Sequence, residues 1–141
     1  MYPLAIGAFL AAVLSVSYAL LPDFHVMQRS AFQDGVAMNF CVYRDAVSRF
    51  LQEGNPPATI ANTSLDLPPG YRFLRQWQAR TVGGYCYIYG QADGEERIII
   101  RKALGNSLLV GENRNGVLYP GSVTIPASVP SGSVVSIVSI Q

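Results

Sequence analysis

The sequence predicts an α+β fold: a long N-terminal helix, membrane-spanning in its first half, packed on an antiparallel β-sheet. Three observations carry this. No charged side chain occurs from Met1 to Pro22. Apolar residues then recur at three- and four-residue steps as far as Phe50. Beyond a proline-rich connector, short β-forming runs alternate with turn signals. A helix with one apolar stripe and a sheet with one apolar face each need a cover, and the simplest solution is helix on sheet.

Residues 1–22, MYPLAIGAFLAAVLSVSYALLP, read as a transmembrane segment or signal anchor. A spanning helix needs about 20 apolar residues to cross a hydrocarbon core of roughly 30 Å. Tyr2 to Leu21 suffices. Ser15 and Ser17 are tolerable because a helical serine bonds back to its own backbone. Tyr2 and Tyr18 stand near the two ends, where amphipathic rings suit the interface. A cleaved export signal is the alternative, with a cut after Ala19, although no Lys or Arg precedes the apolar run. A buried core helix is the third. Arg29, Arg44 and Arg49 all follow the segment, so the positive-inside rule has little to weigh. The expectation is a single pass with the short end in the cytoplasm and the domain outside.

Residues 23–54 form the second element, an amphipathic helix. Phe24, Met27, Ala31, Val36, Phe40, Tyr43, Val47 and Phe50 make its apolar face, with one slip near Gly35. Gln28, Arg29, Gln33, Asp34, Arg44, Asp45, Arg49 and Glu53 make the polar one. Gly54 is a stop signal, and Asn55-Pro56-Pro57 forbids continuation. Residues 55–70 are the connector. Residues 71–141 are the sheet domain, and 23–141 are expected to form one globular unit.

Within the sheet domain, strands are expected at 71–79, 85–89, 97–101 (with three isoleucines), 107–111, 117–119 and 134–140. Gly83-Gly84, Ala92-Asp93-Gly94 and Asn113-Arg114-Asn115-Gly116 supply turns, and DGEER and NRNG read as hairpin connections.

Chemistry is thinly signalled. Only 13% of residues are charged and the net charge is +1, which gives no electrostatic case for nucleic acid or anionic lipid. The lone histidine, His25, has no histidine partner for a metal and no Ser-Gly context for a nucleophile. No phosphate-cradling glycine motif occurs. The expectation is a protein that is not an enzyme, with no cofactor, no metal and no catalytic residue. Cys41 on the amphipathic helix and Cys86 in GGYCYIYG could meet if the helix covers the sheet. A disulfide closing a loop of about 45 residues would add roughly 4 kcal/mol; two separate buried thiols are the other reading. Tyr71, Arg72, Phe73, Arg75 and Trp77 form a basic-aromatic stretch. Strand alternation explains its aromatics as core, and the same stretch is the candidate partner surface.

The succession NFCVYRDAVSRFLQEGNPPATI, LDLPPGYRF, the Trp77 segment, GGYCYIYG and LGNSLLVGENRNGVLYPGSVTIPASVPSGSVVSIV resembles the small PilM family of conjugative, type IVB thin-pilus systems. The resemblance spans nearly the whole chain and lies in the order and spacing of these segments. It implies an inner-membrane component of the pilin transport apparatus or thin-pilus basal body, and the topology expected above places the C-terminal domain in the periplasm. Its partners would be other pilus assembly proteins or pilins, and it implies no catalytic residues. The long helix before a β-domain also resembles type IV pilins. The departures are clear: the leader-like MYPLAIG lacks Lys and Arg, and no Glu follows until Glu53. A pilin-like fold in a machinery protein is therefore expected, with a minor pilin-like fibre subunit as the alternative.

Overall fold

The computed structural model of the protein describes the backbone of residues 2–141 and the side chains of 6–15 and 25–141. In chain order the elements are α1 (Tyr2–Gln52), β1 (Thr59–Ile60), a 3-10 turn at Asn62–Ser64, β2 (Gln78–Val82), β3 (Tyr85–Gln91), α2 (Gly94–Ala103), β4 (Val110–Arg114), β5 (Val117–Tyr119) and β6 (Ser133–Ser139). The chain divides into two compact units, residues 1–32 and 33–141.

The first unit is helical. Ile6, Phe9, Leu10, Val13 and Leu14 are all exposed on it, and Ser15 Oγ donates back to the Ala11 carbonyl at 2.6 Å. Among the described residues, no helix is long and apolar enough to cross a membrane. The spanning segment expected at 1–22 therefore finds no support there. The described side chains of that segment are those of 6–15. A helical run of that length covers about 15 Å, against the roughly 30 Å that a crossing requires. The remainder of the segment, with Tyr2, Ser17, Tyr18 and the expected cleavage position Ala19, lies outside the described side chains.

In the second unit the sheet order is β1-β2-β3-β6-β4-β5, six strands with every pairing antiparallel. The C-terminal strand β6 runs through the middle, between β3 and β4. Strand alternation sorts its neighbours onto two faces. Cys86 and Ile88 point to one, where Val36, Phe40, Tyr43 and Val47 of α1 pack with Trp77, Ala79, Ile100, Val110 and Val134. All four of those α1 residues are fully buried; burying such side chains contributes about 1.5–3 kcal/mol each before entropy is counted. Tyr87 and Tyr89 point to the opposite face, with Val135, Ile137, Leu118, Ile125 and Val129. That face has a cover of its own, the coil after β5 that carries Ile125 and Val129. The sheet is thus closed on both sides, which is why β3 and β6 show long buried runs.

The helix ends where the sequence indicates. Gly54 takes a left-handed conformation at φ +85° and donates its N–H to the Leu51 carbonyl at 3.3 Å. Elsewhere the structure departs from the expected strands. The triple-isoleucine run is helical: α2 opens on a capping box in which Asp93 Oδ1 accepts from the Glu96 N–H and Glu96 Oε2 accepts from the Asp93 N–H. Glu95 and Glu96 in its first turn, with Arg101 and Lys102 in its last, complement the dipole. DGEER is therefore a helix start and not a hairpin turn. Residues 71–77 are an irregular strap; strand begins at Gln78. The 107–111 strand starts at Val110.

Both sheet edges are short. β1 has two residues. β5 has three, and its outer side is occupied by the following coil: Leu118 N–H donates to Val123 O at 2.7 Å, and Val117 bridges Thr124.

Candidate functional site

The strap 71–77 is fastened to α1 by one side chain. Asn39 Oδ1 accepts from Trp77 Nε1 at 2.8 Å, from Leu74 N at 3.1 Å and from Tyr71 Oη at 3.1 Å. Its Nδ2 donates to the Arg72 carbonyl at 2.7 Å. Trp77 then stands edge-on to Phe40, with centroids 4.9 Å apart, and Phe73 stands edge-on to Tyr71 at 5.1 Å. Ring pairs of this geometry prefer such T-shaped contacts. Tyr43 closes the row, donating its hydroxyl to Asn62 Oδ1 at 2.7 Å.

A second fastening joins the strap to α2. Arg75 makes a two-pronged ion pair with Glu96, its Nε 3.1 Å from Oε2. Glu96 is fully buried and also serves the capping box, so its carboxylate is saturated by donors. Gln33 of α1 donates to Glu95 on the same first turn.

This changes the expected partner surface. Trp77 is core, 1% exposed. Tyr71 and Arg75 are half-buried and engaged with Asn39 and Glu96. Arg72 and Phe73 remain exposed, joined by Leu74 and Gln76. The alternation that suggested a strand reports instead a coil anchored by the side chains of Tyr71, Arg75 and Trp77.

Cys41 and Cys86 are free thiols in the structure. Cys86 faces the stripe of α1 that carries Tyr43, whereas Cys41 lies off that stripe and is half-buried. Burial pushes the Cys86 thiol up to about 12. Burial also raises Cys41, with Asp45 adding and Arg44 opposing. Tyr71 is pushed up to about 12 by burial, partly offset by the Trp77 indole N–H beside it. Burial raises Tyr43 well above the usual phenol range, helped by Cys86, Tyr71 and Tyr89. These are shifts of a dry core.

His25 is exposed on α1 in the first unit. Among the described residues, no three His, Cys, Asp or Glu side chains converge as a metal site. Of the open grooves on the second unit, two border the strap or α2. One, about 470 Å³, is bordered by Leu74, Gln76, Gln78, Tyr89, Gln91 and Ser133. Two of its amides pair with hydroxyls: Tyr89 Oη donates to Gln78 Oε1 at 2.9 Å, and Gln91 Nε2 donates to Ser133 Oγ at 3.1 Å. The other, about 410 Å³, lies between α2 and the β4–β5 hairpin. Sequence reasoning missed it because Arg97 and Arg101 belong to a segment read as a strand, and Arg114 to one read as a turn.

Fold and site together define a small α+β protein whose six-stranded antiparallel sheet is closed by a helix and an aromatic strap on one face and by coil on the other. The chain belongs to the PilM family, whose model matches residues 9–137. It is accordingly a pilus-related protein. A crystal structure of the PilM protein from Escherichia coli B7A is similar in fold, with a TM-score of 0.55 at 18% identity, covering 79% of this chain and 94% of that one. Comparison with curated proteins finds no match.

Proposed function

We propose that this PilM-family chain is a structural, non-catalytic component of a type IVB, conjugative thin-pilus biogenesis apparatus. It acts by protein–protein contact in pilin transport or in the basal body. The N-terminal helix would hold it at the bacterial inner membrane, single-pass, with the domain in the periplasm.

The observation that carries this reading is the first unit's apolar surface. Ile6, Phe9, Leu10, Val13 and Leu14 are between 46% and 69% exposed. A contiguous surface of this kind marks a site of contact with membrane or protein. The pilin-like succession of long helix and antiparallel sheet supports a second reading, a minor subunit that enters the fibre.

Carbonate extraction of a washed membrane fraction, followed by intact mass and N-terminal sequencing, tests the anchor. Met1 retained on a carbonate-resistant chain is the expected result. A chain that begins after Ala19 or Gly7 would replace the anchor with a signal or leader. Sheared pili separate the two readings, because only a fibre subunit should appear in them.

A further inference from the structure

We propose that the groove between α2 and the β4–β5 hairpin is a docking site for an acidic peptide segment of a partner protein. The proposal rests on the reading above that the chain works by protein contact, and it names the chemistry of that contact.

Three guanidinium groups line the groove, those of Arg97, Arg101 and Arg114, with Glu112 as the only carboxylate among the lining residues. Glu112 is shared, 3.5 Å from Arg97 and 3.1 Å from Arg114. One negative charge therefore faces three positive ones. The rest of Arg97 is spent on the fold, its Nη1 donating to the carbonyls of Ala92 and Gly132. Arg101 differs. Its Nη2 reaches the Asn106 carbonyl at 3.2 Å, while its buried Nε–H has no acceptor among the described residues. A buried donor left unmet is costly, and a turn of the Arg101 side chain towards an entering carboxylate would meet it.

The groove also has apolar margins. Ile98 is 68% exposed and Tyr119 53% exposed, and both line it beside Pro120. Arg114 lies over the Tyr119 ring at 3.7 Å, which fixes the ring as a flat wall. A volume of about 410 Å³ suits a few side chains and not a folded surface. Positive charge in excess, an unmet donor and exposed apolar walls together select a short segment in which carboxylates alternate with apolar residues. The groove uses the face of α2 opposite Glu96 and Ile100, so occupancy leaves the Arg75–Glu96 fastening untouched.

The test uses the full-length chain in non-ionic detergent and a fluorescein-labelled peptide of alternating glutamate and leucine, followed by anisotropy. The control peptide has glutamine for glutamate. We expect the glutamate peptide to bind at least about tenfold more tightly than the control, the scale of one charge-assisted hydrogen bond. Raising salt from about 50 mM to about 300 mM should weaken it. Arg101→Gln and Arg114→Gln should each lose about tenfold, and Arg72→Gln, exposed on the strap, should lose nothing. If Arg101→Gln fails to fold, Arg114→Gln decides, since that side chain is 55% exposed. Equal binding of the two peptides, or equal loss with Arg72→Gln, overturns the proposal. So does full displacement by inorganic phosphate, which would make this a free-anion site. None of these readouts depends on the membrane anchor, which extraction tests separately.

Discussion

Asn39 Oδ1 lies 2.8 Å from the indole nitrogen of Trp77, and this one acceptor also takes the Leu74 amide and the Tyr71 hydroxyl. A polar side chain on α1 thus organises the aromatic row that seals the sheet. Replacing Asn39 with Ala leaves the buried indole N–H unmet, which costs about 1–3 kcal/mol for that donor alone. Urea unfolding followed by Trp77 fluorescence should show a loss of about 2–4 kcal/mol once the other bonds are included. The slope should be unchanged, because the surface exposed on unfolding is the same.

Arg75 and Glu96 are unequally placed: the Glu96 side chain is fully buried, whereas that of Arg75 is 32% exposed. Arg75→Met therefore strands the buried Glu96 carboxylate, at a cost of about 3–5 kcal/mol. The double replacement Arg75→Met with Glu96→Leu should cost less than Arg75→Met alone, since no charge is left stranded. Chemical denaturation of the three proteins measures the difference.

Gly111 admits the close passage of β5. A Cβ built there would stand 2.0 Å from the Tyr119 carbonyl oxygen, which belongs to backbone and cannot swing aside. Gly111→Ala should destabilise by about 2–3 kcal/mol and lower the melting temperature. Gly105→Ser, where the same construction meets nothing within 4 Å, isolates the separate cost of its positive φ.

The thiols give a chemical readout. Unfolded without reductant, the chain should yield both Cys41 and Cys86 to a thiol reagent. In the native protein Cys86 should be inert and Cys41 slow, because burial raises both and the thiolate is the reactive form. Failure of both to react in denaturant would mean a bridge.

Alkaline unfolding follows from the same burial. Cys86 rises from an ordinary 9.0, and Tyr71 from an ordinary 10.0, each to about 12. Folded values above unfolded ones mean that the native state binds more protons. Stability should therefore be full below about pH 9 and fall as pH climbs towards 12. A denaturation series across that range checks the sign.

Particular elements show how much was readable in advance. The α1 face was legible because Val36, Phe40, Tyr43 and Val47 keep helical spacing, and all four are core. β3, β5 and β6 were legible from β-forming runs between glycine turns. α2 was not, because Ile98, Ile99 and Ile100 outweighed the Asp93–Glu96 capping box, a local signal that was present and decisive. The strap misled for another reason. Its alternating aromatics are held by a helix residue, Asn39, and no local pattern encodes that partner. The arginine groove was invisible for a related cause: Arg97 and Arg101 come from α2 and Arg114 from β4, and they meet only through the fold.

The two ends of the sheet bear on how such a chain behaves in a crowd of copies. A strand can recruit another only through a row of unpaired amides and carbonyls. Here one border is two residues long, and the other is already taken by Val123 and Thr124. Ribbon-like growth, copy upon copy through the backbone, has no template on the second unit. Whatever assembles with this domain must recognise side chains, and so must choose its partner by chemistry.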